Sequence, residues 1–398
     1  MNKSKQLDSY SILIICKYFK TPEDFINIIC VCKKFNETLK KLRFNPISII
    51  TKKLFPLIQT QYLYFPTDER IPTIEFYCYD CKITFSRFFF TSNKQKTKFK
   101  CIEYTLNDRM KFGNKIPKLI KSLGKGLFAD SNFEKIIPYS PPPHCSICNK
   151  LHNIVPNSGI NENPQLNHSK SKNILLNLQL DSLEDNVNEL TDQQKEENKK
   201  FLQIPNYIQS IGSECFLNCS SLTFIKLSNT ITELGNGAFK NCAKVSHLIL
   251  STNITSLPPT LCYGCHSLSQ ISFPPYLVSI GDNAFAQCTN LVSLQLPQTI
   301  TSIGSFAFCG CCSLRSVNIP SINKINPYTF SECFSLYQIS IPSTVTAIDT
   351  CAFKKCTSLT QIGLCSSLVK FGDSCFYQCH YRLFKDYILP ERCFINYN

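Results

Sequence analysis

The feature that most constrains this chain is a phrase of about 23 residues that returns eight times in its second half. Each copy holds a small residue, an aromatic, two variable positions, a Cys and then an apolar residue three positions on. The aromatic is Phe at 216, 239, 285, 308, 330, 353 and 376, with Cys262 standing in once. The Cys column is 219, 242, 265, 288, 311, 333, 356 and 379, at intervals of 23, 23, 23, 23, 22, 23 and 23. A drift of one residue over seven intervals cannot come from composition, so the segment is a tandem repeat, and a period of this length predicts a solenoid.

The rest of the unit is equally periodic. After each Cys, apolar residues sit at offsets 0, 3 and 5, as in Leu222/Ile225/Leu227, Leu291/Leu294/Leu296 and Leu359/Ile362/Leu364. The last two alternate with polar residues, which predicts a short strand with one buried face. Pro274, Pro297, Pro320 and Pro342 close it, because Pro cannot donate to a ladder. Two further apolar positions and a frequent Gly (212, 235, 281, 304, 372) form a return arm. No single unit can bury its apolar residues alone, so neighbours must stack, each adding one parallel strand. The one-residue deletion falls in "IPSINKINPYTF", in the return arm, which this reading places outside the strand ladder.

The pattern resembles the BspA-type leucine-rich repeat family, whose units read much like "LxxIxIPxxLxxIGxxAFxxCxx", over roughly residues 202 to 380. A divergent copy stands alone at "IPKLIKSLGKGLFADSNFEKIIP", residues 116–138, so the array starts early and is interrupted in sequence. The resemblance implies a leucine-rich repeat solenoid of the α/β repeat class. Each coil would have one short parallel strand and a mostly irregular or 3-10 return arm, and an α-helical cap would precede the array. It also implies recognition or adhesion and associates no catalytic residues with the repeats. The expected organisation is a helical F-box-like or capping segment at 1–50 and an N-terminal region at 51–138 that ends in the divergent repeat. A low-complexity insertion or linker follows at 139–200, then the array at 201–380 and a C-terminal cap at 381–398.

The net charge of +14 is concentrated near the N-terminus: 25 basic against 12 acidic residues in 1–137, but 8 against 6 in 201–380. Scattered lysines without a groove-entering module point away from nucleic acid. The N-terminal apolar stretch is short, is interrupted by Lys17 and lacks a cleavage site. No stretch has the roughly 18 to 20 apolar residues of a membrane span. The expected location is cytoplasm or nucleus, with the cell surface by an unconventional route as the alternative. Of 24 cysteines, 16 lie from Cys215 onward. Stacked equivalents would be about 4.8 Å apart, near enough for a disulfide. They would point the same way, however, so the column is expected to be a file of small buried thiols.

Residues 7 to 45 carry two helical patterns. The second follows "TPED", where Thr21 can cap, Pro22 takes the first turn and two acids favour the N-terminus. The segment resembles an F-box at Leu7, Tyr18, Phe19, Phe25, Val31, Cys32 and Phe35, although the usual Leu-Pro opening is Leu7-Asp8 and the usual Trp is Phe35. That resemblance implies a Skp-type adaptor of a cullin ubiquitin ligase as partner. A plain cap shielding the first coil is the competing expectation. Two CxxC pairs, Cys78/Cys81 and Cys145/Cys148, could supply four thiolates to a structural zinc, with His144, His152 or Cys101 as substitutes; the alternative is unpaired thiols. Residues 138 to 200 turn to Pro, Asn, Ser, Gln and acids, as expected of an insertion.

No Gly-rich phosphate loop, Ser/His/Asp set or recurring carboxylate pair is present, so no enzyme and no cofactor is expected. A recognition surface is better supported. Strand positions between buried residues must face outward as parallel columns. Phe224, His247, Gln270, Ser293, Ser316, Gln338 and Gln361 form one; Lys226, Ile249, Ser272, Gln295, Asn318, Ser340 and Gly363 form the other. Their neutral, hydrogen-bonding chemistry suits a protein partner, or a glycan, better than a polyanion.

Overall fold

The structure, a computed structural model, describes residues 18–31, 39–40, 42–91, 96–131, 137–139, 201–364, 370–380, 383 and 389–395. They form a β-solenoid of stacked parallel strands. Residues 224–226, 247–249 and 270–272 pair in register on one face, and 293–295 with 316–318 and 338–340 with 361–363 continue the same column. Ile225, Leu248, Leu294, Val317, Ile339 and Ile362 point inward and are buried, while the residues on either side remain at the surface. This is the alternation that a strand buried on one face requires.

The return arms are not outside the ladder. They pair too, through two-residue strands such as Ser256–Leu257, Ser279–Ile280 and Ser302–Ile303. The Gly column follows from this second ladder, because coil backbones approach closely there. A β-carbon on Gly235 would lie 2.1 Å from the backbone nitrogen of Ser213, and one on Gly281 would lie 2.6 Å from that of Pro259. Gly281 and Gly304 donate their N–H to Leu257 and Ile280 of the preceding coil at 2.9 and 2.8 Å. Pro258 occupies the same column and has no N–H, and between Glu233–Leu234 and Ser256–Leu257 the arm sheet is broken.

The second corner is the most regular part of the coil. Phe285 donates to Ala307, Phe308 to Thr329 and Phe330 to Ala352, each at 2.9 Å. To turn this tightly the backbone becomes left-handed twice per coil, four residues apart. Asn283 and Gln287 have φ of 56° and 62°, Phe306 and Gly310 58° and 71°, and Cys351 and Lys355 55° and 63°. Inside the corner the Phe rings stack with centroids 5.7, 5.7, 5.6 and 5.6 Å apart from Phe285 to Phe376, and Phe394 extends the file at 6.1 Å. At the gap left by Cys262, Phe273 of that coil meets Phe285 edge-on at 5.8 Å.

The Cys column lies beside this file as buried, unpaired thiols. Each thiol from Cys242 to Cys379 donates to the carbonyl of the aromatic position one coil back, with Sγ···O distances of 3.0 to 3.4 Å. Burial pushes the thiols of Cys262, Cys288, Cys311, Cys333 and Cys356 up, so they remain protonated at neutral pH. Cysteine suits the position because it is small and apolar yet keeps a weak donor for a carbonyl facing the interior.

The interruption at 139–200 is one of sequence, not of stacking. Gln209 donates to Lys121 at 2.7 Å, Gly212 to Leu123 at 2.7 Å and Gly126 to Ser213 at 3.0 Å, and the rings of Phe128 and Phe216 stack at 5.4 Å. Shorter coils with longer strands precede these. Strands β1 (Thr60–Leu63), β2 (Phe76–Thr84) and β3 (Thr97–Tyr104) continue through Ser122–Leu123 and Ser210–Ile211 to Glu233–Leu234 as one six-stranded parallel sheet.

Among the described residues, three helices accompany these coils: α1 (Pro22–Val31), α2 (Phe85–Phe90) and α3 (Leu106–Phe112). The buried carboxylate of Asp108 caps two of them. It accepts from Thr105 N at 2.9 Å at the start of α3 and from Ser86 N at 2.8 Å at the start of α2. At the start of α1, Thr21 and Asp24 cap each other as expected from "TPED": Asp24 N to Thr21 Oγ1 is 3.3 Å and Thr21 N to Asp24 Oδ2 is 2.9 Å. Phe25 is fully buried in a cluster with Leu39, Leu42, Ile47, Phe55, Ile58, Ile71, Ile74 and Tyr77. The helix therefore covers the first coils. Among the residues that carry the F-box resemblance, Phe19 and Phe25 belong to this core and Tyr18 is exposed. Leu7, Cys32, Phe35 and the Val31 side chain lie outside the described residues.

Candidate partner-binding face

The strand face brings both sequence-predicted columns together. Pairing sets Phe224, His247 and Gln270 side by side in one column and Lys226, Ile249 and Ser272 in the next. Ser293 with Ser316 and Gln295 with Asn318 follow, then Gln338 with Gln361 and Ser340 with Gly363. Gln270, Ser272, Ser293, Gln295, Asn318, Gln338, Ser340, Gln361 and Lys226 are exposed; Phe224, His247 and Ser316 are partly covered. The ring of Phe224 stacks on His247 at 5.7 Å, and Ser246 Oγ meets His247 Nδ1 at 2.8 Å. This end of the face is thus aromatic, while the remainder is carboxamide and hydroxyl.

The face is not uniform: its strand ladder opens between 270–272 and 293–295, and it opens again at the short coil. In a normal coil the turn after the strand closes over three residues, as with Ile300 N to Pro297 O at 3.2 Å and Val345 N to Pro342 O at 3.0 Å. In the short coil it closes over two, with Ile322 N to Pro320 O at 2.7 Å. Both ladders open beside it: strand 316–318 is not paired with 338–340, nor arm strand 302–303 with 324–325. On the arm side the Asn326 side chain donates to Ile303 O at 2.5 Å, where other coils use a backbone N–H. On the strand side the opening leaves a depression of about 300 Å³, lined by Gln295, Ser316, Asn318, Gln338 and Ser340 over Val317, Ile319 and Ile339.

Sequence reasoning placed the polar columns but missed the rim. Phe334 and Tyr337, 40% and 45% exposed, stand just before strand 338–340, and Arg315 stands exposed before strand 316–318. The readable signal was substitution within a column: where Tyr337 stands, other coils carry Thr223, Ser246, Ser269, Val292, Arg315 and Thr360.

Cys78 and Cys81 both lie on β2, with a register shift between Tyr79 and Lys82 in its pairing with β3. Burial pushes both thiols up. Cys145, Cys148, His144 and His152 lie outside the described residues. Among the described residues, no group of three or more His, Cys, Asp or Glu is placed to hold a metal ion, and no helix is long and apolar enough to cross a membrane.

The BspA type leucine rich repeat region family matches residues 194–276 and 255–383. That match includes no part of residues 1–50, so the F-box resemblance gains no support from it. No curated protein matches the chain. Among solved structures, a leucine-rich repeat protein from Bacteroides ovatus is 31% identical, over 43% of this chain and 45% of its own, with a TM-score of 0.42. The T. pallidum leucine rich repeat protein is 23% identical over 48% and 78% of the two chains, at a TM-score of 0.35. The pneumococcal vaccine antigen PcpA is 14% identical over 70% and 48%, at 0.33. The chain spans less than half the length of the Bacteroides ovatus protein. The repeated Phe and Cys corner and the paired strand face lie within residues 194–383, the part of the chain that the BspA type leucine rich repeat region family matches.

Proposed function

We propose that the protein is a non-enzymatic recognition scaffold that binds a protein partner through the polar strand face of its solenoid. The observation that supports this reading is the face itself: an array of exposed Gln, Asn and Ser side chains on strands that pair in register. Such side chains offer both donors and acceptors without the desolvation cost of fixed charges. A solenoid presents them at a constant pitch, which is how repeat arrays build large binding surfaces. Columns in which Lys226 is the one Lys or Arg fit a folded protein surface better than a nucleic acid, whose backbone demands several such residues.

The test replaces Gln270, Gln295 and Gln338 together by Glu. All three side chains are exposed, so circular dichroism and the melting temperature should be unchanged. Quantitative affinity capture should lose the proteins retained by the wild-type chain. An identical capture profile would place the binding face elsewhere.

A further inference from the structure

We propose that binding is centred on the opened ladder of the short coil, and that the segment received there is an extended, uncharged stretch of the protein partner carrying an aromatic or aliphatic anchor. This rests on the strand-face reading and locates it. Three observations meet at this place. The first is the ladder opening: strands 316–318 and 338–340 are neighbours without pairing, at one of the two places where the strand column is not laddered.

The second is chemistry. None of the eight residues lining the depression is ionisable; Gln295, Asn318 and Gln338 carry carboxamides and Ser316 and Ser340 hydroxyls, above an aliphatic floor of Val317, Ile319 and Ile339. A charged segment seated here would lose water without gaining a counter-charge. Peptide amides are matched by carboxamides in both donor and acceptor capacity.

The third is the rim, where Phe334 and Tyr337 are the exposed rings beside the depression. Exposed large apolar side chains are scattered in the array, and these two stand one turn apart, immediately before the opened strand 338–340. Binding energy concentrates on such anchors next to a ring of polar contacts.

The experiment selects a random peptide library displayed on phage against the full chain, then measures the resynthesised winners against point variants by fluorescence polarisation. The expected winners are uncharged and contain an aromatic or large aliphatic residue. Tyr337→Ala and Asn318→Glu should each weaken them roughly tenfold, Gln361→Glu and Gln270→Glu should weaken them less, and Ser302→Glu on the return arm should leave them unchanged. Ser340→Glu is a second probe of the depression should either variant misfold by circular dichroism. Charged winners, or winners indifferent to Tyr337→Ala, Asn318→Glu and Ser340→Glu, overturn the proposal. If those winners respond to Gln270→Glu or Gln361→Glu, the strand face stands and only its centre moves; if they respond to none, both readings fall. Absence of any enriched peptide, with neutral oligosaccharides on a glycan array binding in an Asn318-dependent way, also overturns it.

Discussion

At the scale of single residues the fold depends on conformations that side-chain chemistry does not advertise. Thr260 is β-branched and sits at φ 56°, where Gly237 occupies the equivalent position one coil earlier. A left-handed β-branched residue is strained by about 1–2 kcal/mol. Thr260→Gly should therefore stabilise the chain by about 1 kcal/mol, read as a rise in urea midpoint at unchanged slope. Asp108 is the opposite case. Burial raises its pKa, but hydrogen bonds from the Ser86 hydroxyl, the Thr105 backbone and hydroxyl, and the Ser86 backbone outweigh this and hold it below the ordinary carboxylate value of 3.8. Its stabilising effect is thus complete above that value and is lost as the pH falls through the lower folded value. Asp108→Asn should cost about 2–4 kcal/mol at pH 7, and the stability of the variant should fall less steeply than the wild type below about pH 4. An equal acid slope in both proteins would contradict this role.

At the scale of elements, what could be read in the sequence and what could not divide along physical lines. The strand and its two columns were legible because burial imposes a period of two, and the thiol file because a small apolar residue recurred at fixed phase. The coils at 60–104 were hidden because they advance by fewer residues between paired positions, 16 from Thr60 to Phe76 and 20 from Tyr77 to Thr97, and so break the 23-residue period. The paired left-handed positions were hidden because Glu, Thr, Phe, Tyr, Cys and Lys occupy them; the corner ladder imposes the geometry whatever the side chain. The arm ladder was announced only by its Gly column. Gly235→Ala should cost about 1–3 kcal/mol by forcing two coils apart. Gly363→Ala, whose β-carbon would find only ordinary contacts from 3.4 Å outward, should be nearly neutral. Equal melting temperatures for the two variants would refute the close-approach explanation. Because coils on either side of residues 141–199 bond directly, replacing that segment by a Gly/Ser linker should leave the melting temperature within a few degrees of wild type.

At the scale of the whole molecule, one corner runs without interruption while the two flanking ladders open at defined joints. The file of Phe rings and the corner hydrogen bonds pass through the short coil, where both strand ladders stop. Native-state hydrogen exchange should find the slowest amides at Phe285, Phe308, Phe330 and Phe353, and faster exchange at residues 338–340 than at 247–249. Uniform protection along the strand column would remove the joint. Among the described residues the short-coil joint is one of two openings in the strand ladder, the other lying between 270–272 and 293–295, and the aromatic rim stands beside the short-coil one. The claim that function resides on the strand face is tested most directly by hydrogen exchange on the full chain with and without its captured partner. The account predicts new protection at residues 293–295, 316–318 and 338–340 with none at the corner residues 327–332. Protection confined to that corner or to the return arms would contradict it.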